Sequence, residues 1–408
     1  MILNSKKEYI RYLIFLVVIY IFLFRDLFIE LIPVFSFFDE IFALLALPIF
    51  LYNLFKNKGL IEINKINWVV LLVVFFSIGL LGNIKYHYQP FVEAVLPDLF
   101  LNLKFWLTLY IGSEIFGNLD FYRYGKRIVL NIKFIIWIYI ILFFIDNLSG
   151  GIFPADIRYN FRSTQFFYGA HTVFAAICIF LIALLTIIKE RVSQINFYLV
   201  VLLLLLISTM RSKAFIAAII YILVYYLILV LKKKINIKYI IMLVLIGIII
   251  GITQIQFYFF NDLTDDIARV GMLVASIFIG IDHFPLGAGF GTFASFYSGQ
   301  VYSPLYIDYD ISWMYGLTED HPSLVSDAFW PMIIGQNGYI GLIIFIIILV
   351  KIFKEIQKIY YIDKYKYMSG IFVFLYLMIA SLAESAFVHP IAMPLALILG
   401  ICLKKKSI

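Results

Sequence analysis

Apolar runs of 18 or more residues recur from one end of this chain to the other, each long enough to cross a hydrocarbon core of roughly 30 Å as a helix. No other feature restricts the fold so strongly. A transmembrane β-barrel is excluded, because barrel strands alternate in short segments whereas these runs are continuous. Composition agrees. Hydrophobic residues make up 64% of the chain and charged residues 14%, where a soluble domain carries about 25%. The expected fold is an all-α polytopic integral membrane protein, one transmembrane domain over residues 1–408. About twelve transmembrane helices are predicted, at 9–25, 37–55, 67–83, 98–115, 128–146, 168–188, 195–210, 213–231, 238–260, 331–352, 367–384 and 390–403. The N-terminal run lacks a small-residue cleavage site and reads as a retained first helix.

The net charge of +7 could suggest nucleic acid, but the distribution of charge argues for topology instead. Lys and Arg gather between alternate spans: Lys6, Lys7 and Arg11; Arg123, Lys126 and Arg127; Lys232, Lys233 and Lys234; Lys351, Lys354 and Lys358; Lys404, Lys405 and Lys406. Such clusters mark cytoplasmic loops and predict that both termini are cytoplasmic. Cys178 and Cys402 fall in apolar runs, with no CxxC or Cys/His pattern for a metal.

This topology leaves residues 261–330 as one long extracytoplasmic loop between helices 9 and 10, a connection of about 70 residues. Loops of that length are uncommon and usually functional. It holds nine acids, Asp262, Asp265, Asp266, Asp282, Asp308, Asp310, Glu319, Asp320 and Asp327, and a single base, Arg269. Arg269 either pairs with a neighbouring carboxylate or is held for an anionic group arriving from outside, for which a guanidinium fork suits pyrophosphate.

In LISTMRSKAF, Leu206 to Phe215, Arg211 and Lys213 interrupt what would otherwise be one apolar run. Charges at that depth mark a functional site by default; the alternative is an external turn with both side chains snorkelling. The run Gly287-Ala288-Gly289-Phe290-Gly291 lacks the lysine of a P-loop, and its glycines are expected to let the backbone approach another element or a ligand. Rings follow it, among them Tyr297, Tyr302, Tyr306, Trp313 and Tyr315, as an interfacial belt or a surface for stacking sugars. His321, beside Glu319 and Asp320 and before Pro322, can take a proton from a hydroxyl. His87, His171, His283 and His389 suggest no role, and Asp39-Glu40 reads as a helix cap or, in a metal-dependent glycosyltransferase, as a metal site.

Taken together, LISTMRSKAF, Arg269 upstream of PLGAGFGTF, HPSLVSDAFWPMIIGQNGYIGL and the later AESAF segment (Ala383 to Phe387) resemble the O-antigen ligase and O-antigen polymerase superfamily of bacterial envelope enzymes. The resemblance implies a helical glycosyltransferase fold of the GT-C type in the bacterial cytoplasmic membrane, with the active site facing outward. It implies no cofactor and no metal. The substrates it implies are undecaprenyl-pyrophosphate-linked oligosaccharides, and the partners membrane lipids, a chain-length regulator and a flippase, with no nucleic acid. Arg211, Arg269 and His321 match the family's catalytic positions. Lys213, Gly287, Gly289, Gly291, Tyr297, Trp313 and Asp320 are the expected substrate-binding residues. The loop around Arg269 departs from the family in being acidic. The polymerase branch is expected first, the ligase branch second, and an oligosaccharide flippase or transporter third.

Overall fold

A computed structural model describes residues 2–56, 63–158, 160–192, 194–236 and 264–404. The chain is mostly helical. In order run α1 (Ile2–Leu23), α2 (Arg25–Leu31), α3 (Phe38–Leu44), α4 (Ala46–Lys56), α5 (Ile63–Tyr86), α6 (Leu96–Glu114), α7 (Phe121–Leu148) and α8 (His171–Ile188). These are followed by α9 (Ile195–Ser208), α10 (Ser212–Tyr225), α11 (Thr264–Asp282), α12 (Phe296–Gln300), α13 (Leu305–Asp308), α14 (Phe329–Ile359), α15 (Lys364–Ala380) and α16 (Ala392–Leu403).

Among the described residues, seven helical segments are long and apolar enough to cross a membrane, or eight with α1 and α2 counted as one bent span. Twelve were expected. The predicted span 238–260 lies outside the described residues. The spans expected at 195–210 and 390–403 are helices of 14 and 12 residues, short of a hydrocarbon core at 1.5 Å per residue. Span 9–25 breaks at Phe24, where α2 turns 76° away from α1. Contacts from a distant segment flank the break: Tyr168 donates its hydroxyl hydrogen to the Leu23 carbonyl at 2.8 Å, and Asp26 accepts the Gly169 amide at 3.0 Å.

α8 forms the centre. It is buried on every side from Phe174 to Leu185, as expected of a helix that is apolar all round, and packs against α7, α9, α15 and α16. α6 and α16 cross closely because Gly112 faces the Leu397 carbonyl and Gly400 faces the Leu109 carbonyl. Small residues at membrane helix crossings let backbones approach in this way. One hydrophobic core runs continuously from Tyr12 to Cys402.

The bundle has two distinct ends. At the basic end, Lys404 pairs with Glu114 at 3.4 Å and Lys189 lies over the ring of Tyr225. The loop end collects residues 24–39, 86–95, 149–170, 209–213, 283–328 and 381–391, which bond to one another across the chain.

The expected 261–330 loop is not one irregular excursion, since its first part is the 19-residue helix α11. Ala268, Met272, Ala275 and Ile279 are buried, and the helix packs on α14. Val270, Leu273, Val274, Ile277, Phe278 and Ile281 form an exposed apolar stripe on the opposite face. α14 is broken at Gly338, whose φ of 64° and ψ of −173° suit glycine alone. Its freed Gly335 and Gln336 carbonyls accept the amides of Ala288 and Gly289, both at 2.9 Å.

Candidate functional site

α9 ends in a turn whose hydroxyls bond back into it, Ser208 to the Leu205 carbonyl and Thr209 to the Leu206 carbonyl, both at 2.8 Å. Met210 follows at φ +51°, and Arg211 stands extended at the N-terminal cap of α10. Facing it is a short hairpin, β1 (Ile157–Arg158) against β2 (Phe161–Arg162), turned through Asn160 at φ +62°. Asparagine tolerates that conformation well. The hairpin sets Asp156 and Ser163 side by side: the Ser163 amide donates to the Asp156 carbonyl at 2.9 Å, as does its hydroxyl at 2.7 Å.

Arg211 Nη2 lies 2.7 Å from Asp156 Oδ2 and 2.8 Å from His171 Nδ1. His171 Nε2 is in turn 2.6 Å from the Ser163 hydroxyl. Arg211 is 20% exposed and Asp156 53% exposed, so this ion pair opens to solvent on its carboxylate side. Two residues on, Lys213 pairs with Glu384 in the segment after α15. The next residue, Ser385, donates its hydroxyl hydrogen to the Ser326 carbonyl, and Asp327 beside it pairs with Arg269 at 3.0 Å. A continuous run of contacts thus joins Arg211 and Lys213 to Arg269 through the AESAF segment. Arg269 sits on α11 and pairs with a carboxylate, the structural alternative that its acidic surroundings allowed.

His321 is exposed in the turn that the Leu324 amide closes on the Gly316 carbonyl at 2.9 Å. Its own amide bonds to Thr318, and its imidazole makes no hydrogen bond among the described residues. Asp320 beside it is exposed as well.

Gly287, Gly289 and Gly291, expected to bind substrate, approach other elements of the protein itself. A Cβ on Gly289 would lie 2.5 Å from the Asn83 side chain, one on Gly287 2.7 Å from the Gln336 carbonyl, and one on Gly291 3.0 Å from the Ala94 backbone. The Asn83 amide bonds both backbone groups of Phe290, at 2.8 and 2.9 Å, and Asp98 accepts the Gly291 amide at 2.8 Å. The space these glycines leave is already filled.

The rings divide. Tyr306 is buried, stacks on Phe293 and bonds the Ala294 amide and the Ser298 hydroxyl, so it holds the loop's own core. Trp313 and Tyr315 are exposed. Burial and the nearby carboxylates of Glu40 and Asp98 raise the Tyr297 phenol above its usual range. Burial, then Glu319, pushes Tyr302 up to about 12.

A second polar cluster joins Asp39-Glu40, expected as a helix cap or a metal site, to Lys104. Lys104, 1% exposed in α6, lies 2.5 Å from Asp39 Oδ2 and 3.2 Å from Glu40 Oε1. Asp39 is wholly buried and also takes Arg25 Nη2 at 3.5 Å. The acidic pair therefore faces cations of the protein, and a metal there would have to displace an ammonium group. Among the described residues, no three His, Cys, Asp or Glu side chains are grouped to hold a metal.

His389 adjoins both clusters. It is exposed at the surface of the loop end. Burial first, then the cations Lys104, Arg25 and Lys213, lower its pKa against the opposing pull of Glu384. Neither His171 nor His389 was singled out by its neighbours in sequence. The polar residues around each come from distant segments. No protein-family model, curated protein or solved structure matches the chain.

Proposed function

We propose that this chain polymerises a bacterial envelope polysaccharide at the outer face of the cytoplasmic membrane. It transfers a growing glycan from undecaprenyl pyrophosphate to a hydroxyl of a lipid-linked repeat unit. One observation carries the reading: Arg211, Lys213 and Arg269 form a connected row at the loop end of a membrane bundle, each held by a carboxylate. The carboxylates of Arg211 and Arg269 are accessible, Asp156 at 53% and Asp327 at 35%. A pyrophosphate carries more charge than a carboxylate and fits the guanidinium fork, so it can displace them.

In the reaction, the acceptor oxygen bonds to the anomeric carbon as the bond from that carbon to the pyrophosphate oxygen breaks. The electron pair leaves with the pyrophosphate, where Arg211 and Arg269 stabilise it. His321 takes the hydroxyl proton. Trp313, Tyr297 and Asp320 offer rings and an acceptor for sugar, and the grooves between spans take polyprenyl chains. The pyrophosphate linkage supplies the driving force.

The test is purified protein in detergent with lipid-pyrophosphate repeat units, with chelator and without nucleotide. Products spaced by one repeat unit, lost in Arg211→Ala, support a polymerase. Transfer of preformed polymer only to an added lipid A core or protein acceptor replaces it with a ligase. Absence of both products refutes glycosyl transfer.

A further inference from the structure

We infer that His171 is a positioning residue for Arg211 and works only as the neutral imidazole protonated on Nε2. The assignment follows from counting hydrogens. A guanidinium has donors and no acceptor, so the 2.8 Å contact requires His171 Nδ1 to accept. Neutral imidazole then carries its hydrogen on Nε2 and donates it to the Ser163 hydroxyl at 2.6 Å. That oxygen passes its own hydrogen to the Asp156 carbonyl at 2.7 Å and accepts the Asp156 amide at 3.0 Å. Every hydrogen in the ring of contacts has one place to go.

The two hydrogens of Arg211 Nη2 are thereby divided between Asp156 Oδ2 and His171 Nδ1. The carboxylate fixes the charge and the imidazole fixes the plane of the guanidinium. His171 is 5% exposed at the start of α8, the most deeply packed helix, so it supplies a rigid anchor. Asp156 lies on the accessible hairpin, the partner a phosphate can replace. When pyrophosphate displaces it, the histidine still holds the arginine.

Protonation dismantles the device. Imidazolium has no acceptor, and its Nδ1–H would point at a guanidinium 2.8 Å away. The charged groups around His171 are Arg211 from the α9–α10 turn and Asp156 and Arg158 from the hairpin. Arg158 lies 3.9 Å from the same Asp156 carboxylate. Two cations and one anion surround the ring, which disfavours a third positive charge.

The role for catalysis rests on the proposed glycosyl transfer; the protonation state of His171 does not. With histidine labelled by 15N in the full chain in detergent, five residues are to be resolved, and His171→Asn identifies the signal. His171 should be neutral at pH 7.5 with Nδ1 unprotonated, and Arg211→Gln should move its titration to higher pH. A ring protonated at pH 7.5, or one unmoved by Arg211→Gln, overturns the inference whatever the enzyme does.

Activity gives the second readout. Asparagine keeps an acceptor near the Nδ1 position and does not titrate; phenylalanine has no acceptor. His171→Phe should lose tenfold or more in kcat/KM, chiefly through KM for the lipid pyrophosphate. His171→Asn should keep activity within a few-fold and make the acid limb of the pH profile less steep, leaving only the limb that the base His321 imposes. An acid limb unchanged in His171→Asn, or His171→Phe as active as the parent, overturns it. An inactive parent protein fails the glycosyltransferase reading and leaves the 15N result to decide on the histidine.

Discussion

Lys104→Met is the perturbation whose size follows most directly from the geometry. Lys104 and Asp39 are 1% and 0% exposed and 2.5 Å apart. Removing the ammonium leaves Asp39 inside the bundle with the 3.5 Å contact to Arg25 and the neighbouring Glu40 side chain, and leaves Glu40 Oε1 without its 3.2 Å partner. Breaking a buried ion pair by deleting one member costs about 3–5 kcal/mol. Arg25 retains part of the compensation, so the loss should fall near the lower end, about 3 kcal/mol. Asp39→Leu alone should cost a similar amount, since the ammonium then keeps only Glu40. The double variant Lys104→Met/Asp39→Leu removes the two buried charges and leaves Glu40, 31% exposed, to solvent; apolar replacement of a whole buried pair is close to neutral or stabilising. Arg25 tolerates this because it is 22% exposed and keeps Asp26 and the Ser36 carbonyl. The singles should therefore fail to add by about 3 kcal/mol or more, where independent sites add within about 0.5 kcal/mol. Denaturant unfolding in detergent, followed by tryptophan fluorescence, reads all four proteins. Additive losses would refute the idea that these groups stabilise each other.

Arg211→Ala and His321→Ala should each reduce polymer yield by tenfold or more, with protein level and thermal midpoint nearly unchanged, checked by product ladders and immunoblots. Gly400→Val should prevent folding, read as loss of the monodisperse peak in detergent chromatography, because its side chain would enter the Leu109 backbone. His389 has a lowered pKa, so the unfolded chain binds its proton more readily. Its contribution to stability is full above the ordinary imidazole range and is lost as pH falls through and below it. The thermal midpoint should drop more between pH 7.5 and pH 5 in the parent than in His389→Gln. Gly289→Ala should lower the midpoint by several degrees, since φ is +101° and Asn83 occupies the space.

The bundle was legible because apolar runs report burial in lipid residue by residue. What could not be read was which helices reach fully across: α9 and α16 are packed among neighbours and need not span the core themselves. α11 was hidden for a different reason. Asp265, Asp266, Arg269 and Asp282 lower its mean hydropathy, although the recurrence of Val270, Leu273, Val274, Ile277, Phe278 and Ile281 at helical spacing was open to inspection. Arg211 and Lys213 stood out because they interrupt an oily run. Their partners did not, since Asp156 and Glu384 lie 55 and 171 residues away and leave no local pattern. The same holds for Asp39 and Lys104, separated by 65 residues. The glycine run was visible as a close approach, but whether to protein or ligand depended on Asn83 and the break at Gly338.

That break also bears on how the protein can move. The amides of Ala288 and Gly289 occupy the carbonyls that an unbroken α14 would have used for its own next turn. The loop acts as a spare part of the helix, cast from another length of chain. Pulling it out would strand those groups in an interior without water. Ala288 and Gly289 are therefore locked to α14, and the glycines form the fixed floor of the loop end.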